Sequence, residues 1–200
     1  MDSAFTQFNE NLKRARDLGS LVSGLESMTT SVIDFSDIWR AQIVLVVSSL
    51  DNFIHDIARL GMILIAQGKR NKTEAYLRFD MPLSAVESAI NGVDHDACLG
   101  ETVRKKLSWQ SFQDPDKLAE AIRLISVVKL WDEVGKELKM LPIDVKIHLK
   151  LIVERRNKIA HEADLDPANP GFRWPINSSM ATDTIDFIEN LGKAIFNVTV

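Results

Sequence analysis

Apolar residues along this chain recur at three- and four-residue spacing, and alternating or β-branched runs bounded by turn residues are scarce, so the pattern predicts an all-α protein. Phe5, Phe8, Leu12, Leu18, Leu21, Val22 and Leu25 mark a first helix from Ser3 to about Leu25, interrupted by residues 24–30. A long second helix is expected from Ser31 or Asp37 to Gln67, where Gly68 and the run Lys69-Arg70-Asn71-Lys72 end it. Shorter helices are expected over residues 72–79, 83–91 and 101–112, punctuated by Pro82 and Gly92. Asp114 before Pro115 has the form of an N-cap followed by proline at the first helical position, and predicts a helix reaching about Leu138. Pro142 opens another helix in the same way, and it extends to His161. Residues 164–177 hold Pro167, Pro170, Gly171 and Pro175, which is loop chemistry, and a last helix follows from Ser178 or Ser179 to about Asn197. No repeat or linker divides the chain, so residues 1–200 read as a single domain, an antiparallel helical bundle with additional short helices.

The helix opened by Pro142 carries the sharpest anomaly. At about 100° per residue, Val145, Leu149, Ile152, Val153, Ile159 and Ala160 fall in one broad sector, and Arg156 lies near its middle. An unpaired buried guanidinium is costly, so either a carboxylate answers it or the face opens onto a cleft or a second subunit. Asn157 and His161 are four residues apart and share the adjoining face, where the amide can orient the ring. The blander alternative is an internal salt bridge for Arg156 and a helix-end cap for His161, which suits the dipole.

The second helix supplies an independent clue. Ser48, Asp51, His55 and Arg59 are three or four apart and form a polar stripe on an otherwise apolar helix. Polar groups in such a setting need partners, and Asp51 is expected to pair with Arg156 or to hold a histidine ring, with Ser48 and His55 in support. A buried network without chemistry is the competing reading. A metal site made of Asp51, His55 and His161 is a weaker one, because no HExxH or cysteine spacing accompanies it.

The net charge of −4 over 200 residues does not favour nucleic acid, but residues 142–161 carry a local basic surplus from Lys146, Lys150, Arg155, Arg156 and Lys158. A phosphate responds to that local field. Lys150, Arg155 and Lys158 are therefore candidate contacts to an RNA backbone, and Arg173 and Trp174, in the loop after the motif, are candidates to lie over a cleft and stack on a base. Trp39, Trp109 and Trp131 occupy helical positions and are expected in the core. A single cysteine, Cys98, suits a reducing interior, so a cytoplasmic setting is expected. The most apolar run, Ile43 to Val47, is flanked by Arg40, Asp51 and Asp56 too closely for a membrane span.

Arg156-Asn157-x-x-x-His161, within Glu154-Arg155-Arg156-Asn157-Lys158-Ile159-Ala160-His161-Glu162-Ala163-Asp164, resembles the signature of the HEPN superfamily, an arginine followed by a histidine after four to six positions. Together with the stretch from Arg40 to Asp56, it looks like the RiboL-PSP-type branch, over about residue 35 to the end, with residues 1–30 and 72–100 unmatched. The resemblance implies a helical bundle that dimerises through the motif face and cleaves RNA without metal or other cofactor. It also implies a place in toxin–antitoxin or antiphage systems, with an antitoxin protein as a further partner. Arg156, His161 and Asn157 would be the catalytic set, with His161 as general base and Arg156 stabilising the transition-state charge. Some members of the superfamily only bind RNA or protein, so a non-catalytic adaptor binding RNA, nucleotide or an antitoxin is the alternative.

Overall fold

A computed structural model describes the chain except Ser27, residues 29–32 and Val93, and the possible Ser31 start of the second helix lies outside the described residues. Among the described residues there are nine helices: α1 (Asp2–Glu26), α2 (Ser36–Ala66), α3 (Glu74–Leu77), α4 (Leu83–Ile90), α5 (His95–Leu107), α6 (Pro115–Arg123), α7 (Leu130–Leu138), α8 (Pro142–His161) and α9 (Ser178–Thr199). An isolated bridge between Leu165 and Arg173 adds the one β-type pairing among the described residues. The all-α expectation therefore holds.

Four long helices build the core. Val22 clusters with Trp39, the Gln42 amide donates to the Ala15 carbonyl at 2.7 Å, and Phe8 stacks on Phe53, so α1 and α2 run antiparallel. Arg16 pairs with Asp186 and Glu189 on α9, and Phe5 stacks on Phe196, which makes α1 antiparallel to α9 as well. Helix α8 packs on α2 with its own axis reversed: its far end meets Arg40 through Asp164, while Lys146 near its start reaches Asp116, beside the segment that contacts Asp51. Val46, Val47, Leu50, Ile54 and Ile57 of α2 are buried to the last percent and sit at the centre of this arrangement.

The helix expected over 114–138 is two helices. Asp114 caps α6 as anticipated, its carboxylate accepting from the amides of Asp116 and Lys117, but the helix ends at Arg123. Thr73, distant in the chain, donates its hydroxyl to the Leu124 carbonyl, and the Ser126 side chain accepts from the Val128 amide, so side chains take over from helical bonds in the stretch Ile125-Ser126-Val127-Val128. Ile125 is thereby pressed against Gly61 of α2. Helix α5 starts earlier than expected, at His95, because Asp94 caps it by accepting from Asp96 and Ala97. Trp39 is buried, but Trp109 is 91% exposed and does not join the core.

The Gly61 contact gives a direct stability test. A Cβ at that position would stand 2.6 Å from Ile125 Cγ2 and 2.8 Å from Ile125 Cβ, both in the core. Gly61→Ala is expected to destabilise by roughly 1–3 kcal/mol through overpacking, measured by urea unfolding, whereas an unchanged midpoint would mean that the α6–α7 connection yields freely.

Candidate functional site

Helix α8 buries Val145, Leu149 and Ile152 along one face. Arg156 is the next position of that face, four residues beyond Ile152, where the bundle ends and Ala160 is already exposed. No carboxylate among the described residues pairs with it. Its Nη1 donates to Asn157 Oδ1 at 3.0 Å, and its Nε is buried without a hydrogen-bond partner. Asn157 thus holds the guanidinium on the side of the helix that it shares with His161. His161, the last residue of α8, is exposed, and its ring makes no hydrogen bond or ion pair among the described residues. The arginine, amide and imidazole are therefore gathered at one helix end, with the cation and the ring both free of carboxylates.

What fixes this end is a buried ion cluster. Asp164 is wholly buried, and one carboxylate oxygen accepts from Arg40 Nε at 2.7 Å and from Arg155 Nη2 at 2.8 Å. Arg40 also donates to the Ser36 hydroxyl and to the Trp174 carbonyl, and Arg155 reaches the carbonyls of Trp174 and Pro175. Burial lowers the affinity of Arg155 for its proton, opposed by the attraction of Asp164. Ala163 and Asp164 both adopt the left-handed region, at φ 52° and 58°, an uncommon conformation for residues other than glycine. That reversal stops α8 after the motif and turns the Asp164 side chain inward. The loop that follows is closed by Trp174 N donating to the Asp164 carbonyl and by Asp166 N donating to Phe172.

The remaining expected site residues are placed differently. Asp51 accepts from the Phe112 amide at 2.6 Å and from Gln113 at 3.2 Å, so its partners are in the α5–α6 connection. The expected Asp51–Arg156 pairing is not formed, because Asp51 lies eleven residues along α2 from Arg40, about 16 Å at 1.5 Å per residue. His55 sits 3.9 Å from Asp51 and packs on Phe112, and Ser48 is exposed, so this stripe does not join Arg156. Asp51, His55 and His161 do not converge as ligands of one ion, and no such group of ligands occurs among the described residues. Arg155 is tied into the Asp164 cluster, and Arg173 pairs with Asp34 and Asp37. Trp174 is half-buried beneath the Lys158 ammonium, and the open aromatic of that loop is Phe172, 72% exposed. Lys150 and Lys158 form no ion pair among the described residues. Residue spacing does not mark Arg40 and Asp164 as partners, although an isolated cation at the head of an apolar helix is a signal for Arg40.

The helical bundle thus ends α8 on the Arg156-Asn157-x-x-x-His161 sequence. The chain belongs to the RiboL-PSP-HEPN family, which matches it over residues 9–200 and so includes the 72–100 segment and most of the first helix. Comparison with curated proteins and with solved structures gives no match. No helix among the described residues is long and apolar enough to cross a membrane.

Removing the carboxylate of Asp164 leaves the buried guanidinium of Arg40 and the half-buried one of Arg155 without their counter-charge. Asp164→Ala is expected to cost roughly 3–5 kcal/mol in urea unfolding, and a loss below about 1 kcal/mol would show that Arg40 and Arg155 reach water instead.

Proposed function

We propose that this protein is a metal-independent endoribonuclease cutting single-stranded RNA at a composite site shared by two copies of the chain, with a toxin or antiphage role in the cytoplasm. The observation that carries this reading is the Arg156 guanidinium, held by Asn157 beside a bare His161 and left without an internal counter-charge. A phosphate is the natural counter-ion for such a group, since a guanidinium binds its oxygens through paired hydrogen bonds.

His161 takes the proton of a ribose 2′-hydroxyl, whose oxygen attacks the adjacent phosphorus. The 5′-oxygen leaves and receives a proton from the second copy's imidazole. Arg156 neutralises the charge that gathers on the phosphoryl oxygens as five ligands surround phosphorus, and Asn157 holds the guanidinium in place. The family membership supports an RNA-related role in general terms. An antitoxin protein is the further partner this reading implies.

Purified protein incubated with labelled RNA in the presence of chelator tests the proposal. Wild type is expected to cleave, and His161→Ala and Arg156→Ala are each expected to lose about a hundredfold or more while unfolding at the wild-type denaturant concentration. RNA left equally intact by all three proteins would favour the adaptor reading, in which the same face only binds.

A further inference from the structure

Helix α4 is turned inside out relative to its sequence. At about 100° per residue, Leu83, Val86, Glu87 and Ile90 share one face, and Ser84, Ala85 and Ser88 share the other. The small residues are the ones turned inward. Ala85 and Ser88 are half-buried and line a groove of about 800 Å³ with Cys98 and Thr102 of α5, and Cys98 Sγ donates to the Ala85 carbonyl at 3.3 Å. The large residues face solvent: Leu83 is 74% exposed, Ile90 78% and Val86 38%. None of the described residues of α4 is buried. A helix of eight residues is too short to persist on its own propensity and is normally held by its apolar face. Here that face has no cover among the described residues.

The charge around the face is of one sign. From Leu83 to Val103 the chain holds Glu87, Asp94, Asp96 and Glu101 and no lysine or arginine. Glu101 is answered by Arg104 and Lys105. Asp94 accepts from the first amides of α5 and Asp96 from the Gln67 side chain, both uncharged donors, and Glu87 forms no ion pair among the described residues. Three carboxylates without a cation therefore flank an open apolar surface, Glu87 on the face itself and the two aspartates just beyond its Ile90 end.

We infer that the Leu83, Val86 and Ile90 face receives a short amphipathic helix of a partner protein, one with apolar residues at three- and four-residue spacing and lysine or arginine beside them. Helix α4 offers about 12 Å of apolar contact at 1.5 Å per residue, enough for two turns of such a helix, and the unanswered carboxylates select its basic flanks. An RNA strand or an anionic membrane would bring negative charge to these carboxylates. A second copy of the chain would bring the same acids, with no cation between residues 83 and 103 to meet them. The inference is independent of the ribonuclease reading.

The test uses the full chain and two labelled synthetic helical peptides that share leucines at three- and four-residue spacing and differ only in carrying lysine or glutamate at the flanking positions. By fluorescence anisotropy, wild type is expected to bind the lysine peptide at least about tenfold more tightly than the glutamate peptide, a preference that falls with added salt and that Glu87→Lys reduces severalfold. Leu83→Gln with Val86→Gln and Ile90→Gln is expected to abolish binding while keeping the wild-type urea midpoint and the wild-type mass by light scattering. A lysine peptide that is not bound, two peptides bound alike, or binding that survives in the triple variant would overturn the inference. So would a lower midpoint in the triple variant, which would mean that the chain itself covers the face, or a smaller mass, which would mean that a second copy does. The ribonuclease reading is scored separately by His161→Ala, which is expected to leave peptide binding unchanged.

Discussion

The carboxylate of Asp164 decides where the functional end of this molecule lies. It is a buried anion whose cost is met by two guanidiniums, Arg40 from the head of α2 and Arg155 from the last turns of α8. Those same arginines donate to the carbonyls of Trp174 and Pro175, so one carboxylate joins the second helix, the motif helix and the return of the following loop. The left-handed backbone at Ala163 and Asp164 is tolerated because the cluster over-determines it. Arg173, paired with Asp34 and Asp37, adds a second tie between the loop after α8 and the head of α2.

Two adjacent arginines of α8 therefore have opposite fates. Arg155 turns toward a carboxylate and becomes part of the frame, whereas Arg156, one residue on, is held by the Asn157 side chain and meets no carboxylate among the described residues. A helix turns about 100° per residue, which places neighbours on different faces, and here the difference separates structural charge from available charge. The same logic leaves His161 in the open at the end of the helix while its successor residues fold back inward.

Much of this was legible in the sequence. The periodicity of the four long helices, the Asp114-Pro115 and Pro142 starts and the out-of-place Arg156 all follow from spacing and side-chain chemistry. The break between α6 and α7 was not, because Ile125, Val127 and Val128 keep an apolar pattern whether or not the stretch is helical, and Thr73, far away in the chain, supplies the bond that ends the helix. The polar stripe of Ser48, Asp51 and His55 was visible as a stripe, but spacing on one helix does not say which element lies opposite. Asp51 answers the Phe112 amide, a backbone group that no motif records. Asp164 carried the least signal of all: an acid entering a proline-rich loop reads as solvated until the tertiary fold brings Arg40 to it.

Whether His161 and Arg156 act on a phosphodiester, as proposed, is read most directly from the chemistry of the cut ends. Mass spectrometry of short RNA products formed in chelator should show 2′,3′-cyclic phosphate on one fragment and 5′-hydroxyl on the other, with both absent for His161→Ala. Products ending in 3′-hydroxyl and 5′-phosphate, or the same cyclic ends from His161→Ala, would contradict it.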